Sequence, residues 1–122
     1  MKLLKTDSVL IAWIVLVFVA ISWPGDELPK INLGYSFDKI VHIILFGGVT
    51  FLTERSLNAR GYRKGSAATI SLAAGVAYSG LAEIIQMIVP GRYHSFYDFY
   101  AGILGAIIAL VVICFKQAPC NR

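Results

Sequence analysis

Four stretches almost free of charge, each bounded by charged residues, constrain this chain more than any other feature of it. They run from Ser8 to Gly25, Ile40 to Thr53, Ser66 to Val89 and Phe99 to Phe115, and only Glu83 brings a charge inside one. A helix needs roughly 20 residues to cross the hydrocarbon core of a bilayer. The second stretch approaches that length only if it begins near Ser36, which puts Asp38 and His42 at its mouth. The pattern predicts an all-α membrane protein, a four-transmembrane-helix bundle with spans over about 8–24, 36–53, 66–89 and 98–115. Three crossings is the alternative. Pro24 and Pro90 close the first and third spans, and Asp38 and Asp98 open the second and fourth, a rhyme that suggests two related hairpins.

Composition points the same way. Of 122 residues, 57% are hydrophobic and 15% charged, against about 25% charged in ordinary globular domains. Residues 1–122 are read as a single domain, too short for a soluble fold to hide so much apolar surface. The first span follows Lys2 and Lys5 as a secretory signal would, but it ends in Ser22-Trp23-Pro24-Gly25 without a small-x-small cleavage site. It reads as a retained helix, with Trp23 suited to the interface. Cys114 and Cys120 fall at the end of the fourth span and in the tail. On the cytoplasmic side they are expected to be reduced thiols rather than a disulfide or a metal site.

The cations set the expected orientation. Lys2, Lys5, Arg55, Arg60, Arg63, Lys64, Lys116 and Arg122 lie at the N-terminus, in a middle loop read as Glu54 to Lys64, and in the tail. Only Lys30, Lys39 and Arg92 lie in the other two loops. Eight against three places both termini in the cytoplasm of a multi-pass cell-membrane protein. The net charge of +4 then reports topology and contact with anionic headgroups, not nucleic-acid binding. Small residues at spacings of four, Ala101, Gly105 and Ala109 on the fourth span and Ala74, Tyr78 and Ala82 on the third, mark faces for close helix packing.

The polar residues inside the spans carry the functional signal. Asp38 and His42 share a face of the second helix; Ser79, Glu83 and Gln86 share one of the third, since offsets of three and four are neighbours. Arg92 and Ser95 follow Pro90, and Asp98 opens the fourth helix. All fall at the outer ends of their helices, at one level of the membrane. An ionisable group there costs at least a few kcal/mol unless it faces the interior and finds a partner. Arg92 is the expected partner of Glu83, with His42 second. Taken singly, Glu83 could be a structural ion pair, Asp98 and Asp38 acids favoured by a helix N-terminus, and His42 a satisfied interior histidine.

Together these residues resemble the VanZ-like family of small membrane proteins, named for a member associated with teicoplanin resistance. The likeness rests on Asp38-Lys39-x-x-His42-x-x-x-Phe46, then Tyr78-x-x-x-x-Glu83-x-x-Gln86-x-x-x-Pro90-x-Arg92-x-x-Ser95-x-x-Asp98, followed by Gly105. The chain departs from the family at Gly102, where an Asn is usual, and so lacks one side-chain donor. The resemblance implies a role at the cell envelope and no settled reaction.

Three classes of function follow. In the first, Asp38, Lys39, His42, Glu83, Gln86, Arg92, Ser95 and Asp98 bind an anionic or glycosylated envelope lipid, or a cell-wall-related ligand. Arg92 and Lys39 would then hold a phosphate or carboxylate, and the acids and the amide would take hydroxyls. In the second they are catalytic, with His42 as base, Glu83 as acid and Arg92 stabilising developing charge. In the third the cluster only locks the bundle of an accessory subunit, paired with a membrane partner or a second copy. Asp38, His42, Glu83 and Asp98 are compatible with several metal ions, but no spacing is diagnostic, so neither a metal nor a cofactor is assigned.

Overall fold

The helices begin and end where local chemistry dictates. The computed structural model describes residues 4–22, 35–88 and 96–117, the side chains of 35–38 and 117 excepted. Helix α1 spans Lys5–Ser22, α2 Tyr35–Ala59, α3 Lys64–Ile88 and α4 Phe96–Gln117. Asp7 starts α1 by accepting the Leu4 backbone N–H at 2.9 Å, the return half of a capping box. Gly61, at φ +90°, stops α2. The Tyr62 N–H reaches the Leu57 carbonyl at 3.1 Å and the Gly61 N–H that of Asn58 at 3.0 Å. That pair of bonds is a Schellman close, which needs a left-handed residue where only glycine is unstrained.

The second helix corrects the expected boundary at Thr53. It continues six residues further, to Ala59, and shrinks the middle loop to 60–63. As charged residues, Glu54 and Arg55 read from the sequence as the start of a loop. Instead Glu54 is buried and accepts a hydrogen bond from Asn58 one turn on, an i,i+4 pair that helps carry the helix forward.

All four helices are long and apolar enough to cross a membrane, and among the described residues there is no strand. What is exposed and what is buried is inverted relative to a soluble protein. Large apolar side chains such as Ile44, Ile84, Met87 and Val111 face outward, whereas His42, Thr50, Glu54, Ser71, Ser79, Gln86 and Asp98 are buried. Hydrocarbon is the solvent such a surface suits. The chain is a multi-pass membrane protein.

The bundle alternates in direction, with α1 and α3 antiparallel to α2 and α4. The start of α1 meets the end of α2 through Asp7, Ser56 and Arg60. Ser79 of α3 faces Gly102 of α4 and Phe46 of α2 at mid-depth. Helices α2 and α4 form the largest interface; among the described residues, α1 packs on α2 and α3 but not on α4. The α2–α4 approach uses glycine, because a Cβ at Gly47 would stand 2.9 Å from the Gly105 carbonyl oxygen. On α4 the buried face includes Ala101, Gly105 and Ala109, as expected. On α3 it runs through Ala67, Ser71, Gly75, Ser79 and Ala82 rather than through Ala74 and Tyr78. Tyr78 instead meets Phe46 edge-on at 5.8 Å and donates its hydroxyl to the Ile14 carbonyl at 2.9 Å, tying α3 to α1.

Candidate functional site

Helical spacing brings a polar group together at the end of the bundle away from residues 5, 59, 64 and 117. On α2, Lys39, His42 and Phe46 fall at offsets of three and four and share a stripe. His42 is buried, and its ring lies 5.8 Å from that of Phe46. On α3, Ser79 and Gln86 are buried and Glu83 is half-buried beside them. On α4, Asp98 sits in the first turn, where the helix dipole favours a carboxylate, and it is buried as well.

Three of these side chains meet. One ligating atom each of His42, Glu83 and Asp98 lies within 4.8 Å of the other two. Ser79 supports them from below, its hydroxyl 3.5 Å from the Phe99 carbonyl and against the backbone of Gly102. Lys39 flanks the group, with its ammonium 5.7 Å from the centre of the Tyr97 ring. Gln86 is only 2% exposed, and its carbonyl oxygen has no hydrogen-bond partner among the described residues. Asp38 stands in the first turn of α2 with its side chain outside the described residues, and Arg92 and Ser95 lie outside them altogether. The second-ranked partner of Glu83, His42, is therefore beside it, and the first-ranked, Arg92, is outside the described residues.

A lateral cavity that sequence reasoning missed opens beside this group. It holds about 280 Å³ between α3 and α4 and is walled by Gly80, Ile84, Met87, Phe96 and Phe99, with Glu83 the one charged lining residue among the described residues. The exposed rings of Phe96, Tyr97 and Tyr100 stand at the start of α4, as aromatic residues do at a membrane interface. No spacing rule would have found the cavity, because its walls come from the lipid-facing sides of two helices.

The opposite end carries a second polar group, also unforeseen. Asp7 accepts hydrogen bonds from Ser56 and Arg60, the latter also an ion pair. Beside it a cleft of about 430 Å³ is lined in part by Thr6, Glu54, Asn58 and Lys116. The ammonium of Lys116 and the guanidinium of Arg55 lie 5.5 and 5.8 Å from the Phe51 ring centre. Asp7 on α1 is tied to Ser56 on α2 and to Arg60 just beyond it, so the group reads as a clamp between α1 and α2.

Set against known proteins, residues 6–117 match the family model described as VanZ/LLP1. No curated protein and no solved structure matches the chain. The matched region takes in the polar group at both ends and nearly all of the four helices, and with it the chain belongs to the VanZ/LLP1 family.

Proposed function

We propose that this protein binds an anionic or glycosylated envelope lipid, or a lipid-linked cell-wall precursor, at the outer leaflet, with its termini in the cytoplasm. One observation carries the reading: the cavity between α3 and α4 has apolar walls and Glu83 at its polar end, next to His42 and Asp98. A lipid is the ligand whose two halves suit that juxtaposition. Its chain lies along Ile84, Met87, Phe96 and Phe99, and its headgroup reaches the polar group from the side. Lys39 and Arg92 supply the charge a phosphate or carboxylate asks for; Arg92 can make paired hydrogen bonds where a lysine cannot. Glu83, Gln86, Ser95, Asp38 and Asp98 take hydroxyl or amide groups. The excess of cations at the other end of the bundle supports the orientation.

The test is lipid retention. The protein is purified in detergent, exchanged into nanodiscs of neutral lipid doped with either phosphatidylglycerol or a polyprenyl phosphate, and the lipid it keeps is identified by native mass spectrometry. Selective retention of one dopant, lost in Arg92→Lys without loss of thermal stability, supports the reading. Indiscriminate lipid content, together with an Arg92→Ala protein that is unstable and regains stability when Glu83 is also made apolar, means the cluster is a structural lock.

A further inference from the structure

We infer that His42, Glu83 and Asp98 are the protein ligands of a divalent cation of the zinc class, which holds the phosphate of the lipid; the second half of this statement rests on the lipid-binding reading, the first does not. The argument begins with distance. Ligand atoms bound to Zn²⁺ at about 2.0–2.2 Å can be no more than about 4.4 Å apart, and in a tetrahedral site lie about 3.4 Å apart. The imidazole nitrogen and the two carboxylate oxygens are already within 4.8 Å of one another. A set at that spacing is within about an ångström of the limit, a difference of the size that side-chain adjustment covers. The three ligands come from α2, α3 and α4, so the backbone holds each one independently.

Charge is the second step. Two carboxylates beside an imidazole are a donor set that suits a divalent cation. A divalent ion with a neutral imidazole balances two carboxylates at one point.

Gln86 is an independent indication. Its buried carbonyl oxygen has no partner among the described residues, and it stands one helical turn from Glu83 on the side of α3 turned toward α2 and α4. A bare amide oxygen buried in a membrane protein costs free energy unless something donates to it. Water bound to a cation is a strong donor. Three protein ligands with one position left to water or substrate is the pattern of zinc sites that do work, as opposed to closed structural ones. The imidazole favours zinc over magnesium or calcium, whose preference is for oxygen alone.

The experiment uses the full chain, tag removed, in nanodiscs, with Cys114→Ser, Cys120→Ser and His94→Gln introduced to remove competing ligands. After chelation and dialysis the protein is titrated with Zn²⁺, and bound metal is counted after gel filtration; Mn²⁺ serves as a paramagnetic stand-in. One zinc per chain, a raised Tm, and a bound-Mn²⁺ resonance displaced by zinc are the expected results. His42→Gln and Asp98→Asn should each weaken zinc affinity roughly tenfold or more, since even residues outside the coordination sphere cost 10–100-fold. If a variant does not fold, the zinc count and manganese resonance of the parent still decide. Absence of stoichiometric zinc in the parent, or equal zinc in the variants, overturns the inference. Lipid retained equally with chelator, alongside no zinc, sinks the metal and leaves the lipid reading standing. Stoichiometric zinc lost in the variants, with no lipid retained under any condition, does the reverse.

Discussion

Gly105 of α4 lies so close to Ile43 of α2 that a methyl group on it would overlap the Ile43 backbone carbonyl. Backbone cannot rotate aside as a side chain can, so the helices themselves must part. Lipid tails are as apolar as the helices, and close packing of this kind supplies much of the association energy in a bilayer. Gly105→Ala should therefore destabilise the bundle by about 1–3 kcal/mol, the usual cost of overpacking. Gly65, near the start of α3, has nothing within 4 Å of an added Cβ. Gly65→Ala should be neutral or slightly stabilising. Thermal unfolding of both variants in the same detergent checks the contrast, and equal melting temperatures would remove the case for a tight α2–α4 seam.

Gly102, where the family resemblance leads one to expect Asn, gives a sharper case. A Cβ at this position would collide with the Ser79 hydroxyl and press on Phe46. Ser79 thus fills the space that a larger residue 102 would need. The expectation is that Gly102→Asn alone costs about 1–3 kcal/mol, and that adding Ser79→Ala recovers part of it, since the Ser79 Cβ would still stand 2.9 Å away. Residues in contact couple by roughly 0.5–3 kcal/mol, so a double-mutant cycle has a measurable signal. Strict additivity would show that the two positions do not share that space.

Much of this was open to a reader of the chain alone, and the failures have physical causes. The four spans stand out because lipid demands continuous apolar runs, which need no tertiary information. Lys39, His42, Glu83, Gln86 and Asp98 stand out because offsets of three and four fix helix faces, and buried polarity is rare. The end of α2 was misplaced because Glu54 and Arg55 are charged, whereas only the folded bundle shows Glu54 buried and paired. The Asp7 clamp was invisible for another reason. Its partners Ser56 and Arg60 are 49 and 53 residues away, and Arg60 was counted only as a topological charge. On α3 the expected stripe holds at Ala82 but is one position off at Ala74 and Tyr78, since Ala74 and Gly75 are both small and only packing against Thr50 and Ala106 chooses between them.

The Asp7 clamp should matter to stability and not to the distant site. Among the described residues helix α1 does not pack on α4, so it depends on ties to α2 and α3: Asp7 to Ser56 and Arg60, Trp13 Nε1 to the Leu45 carbonyl at 2.9 Å, and Tyr78 to Ile14. Asp7→Ala breaks two of these at once, and Ser56→Ala breaks one. Melting temperature should fall further for the first than for the second. Asp7→Ala with Arg60→Ala should lose less than the two single losses added together, because both remove the same ion pair. Lipid retention measured below the melting temperature should be unchanged in all of them; its loss would link the two ends.

Orientation can be read from one exposed position. Tyr62 lies in the short turn between α2 and α3 and is well exposed, and the cations around it predict the cytoplasmic side. With Cys114→Ser and Cys120→Ser as background, Tyr62→Cys should resist an impermeant maleimide on intact cells and react once the membrane is opened. Rapid labelling of intact cells would invert the topology and turn the polar group inward.

Gln86 separates a site that works from a cluster that merely holds. Its side chain is buried and its carbonyl oxygen has no hydrogen-bond partner among the described residues, and a buried amide oxygen to which nothing donates costs stability rather than adding it. Gln86→Leu keeps nearly the same volume and removes the stranded oxygen. For a ligand-binding site the expectation is a protein as stable as the parent or more so, by up to about 1–3 kcal/mol, the cost of leaving a buried polar group unsatisfied. That variant should also have lost lipid retention, the trade of function for stability seen at working sites. For a structural lock the signs reverse: Leu at this position would break a network, lower the melting temperature and leave nothing else to lose. Melting curves and lipid retention on one preparation of Gln86→Leu decide between them. A destabilised variant that still keeps its lipid would end the case for Gln86 as part of the site.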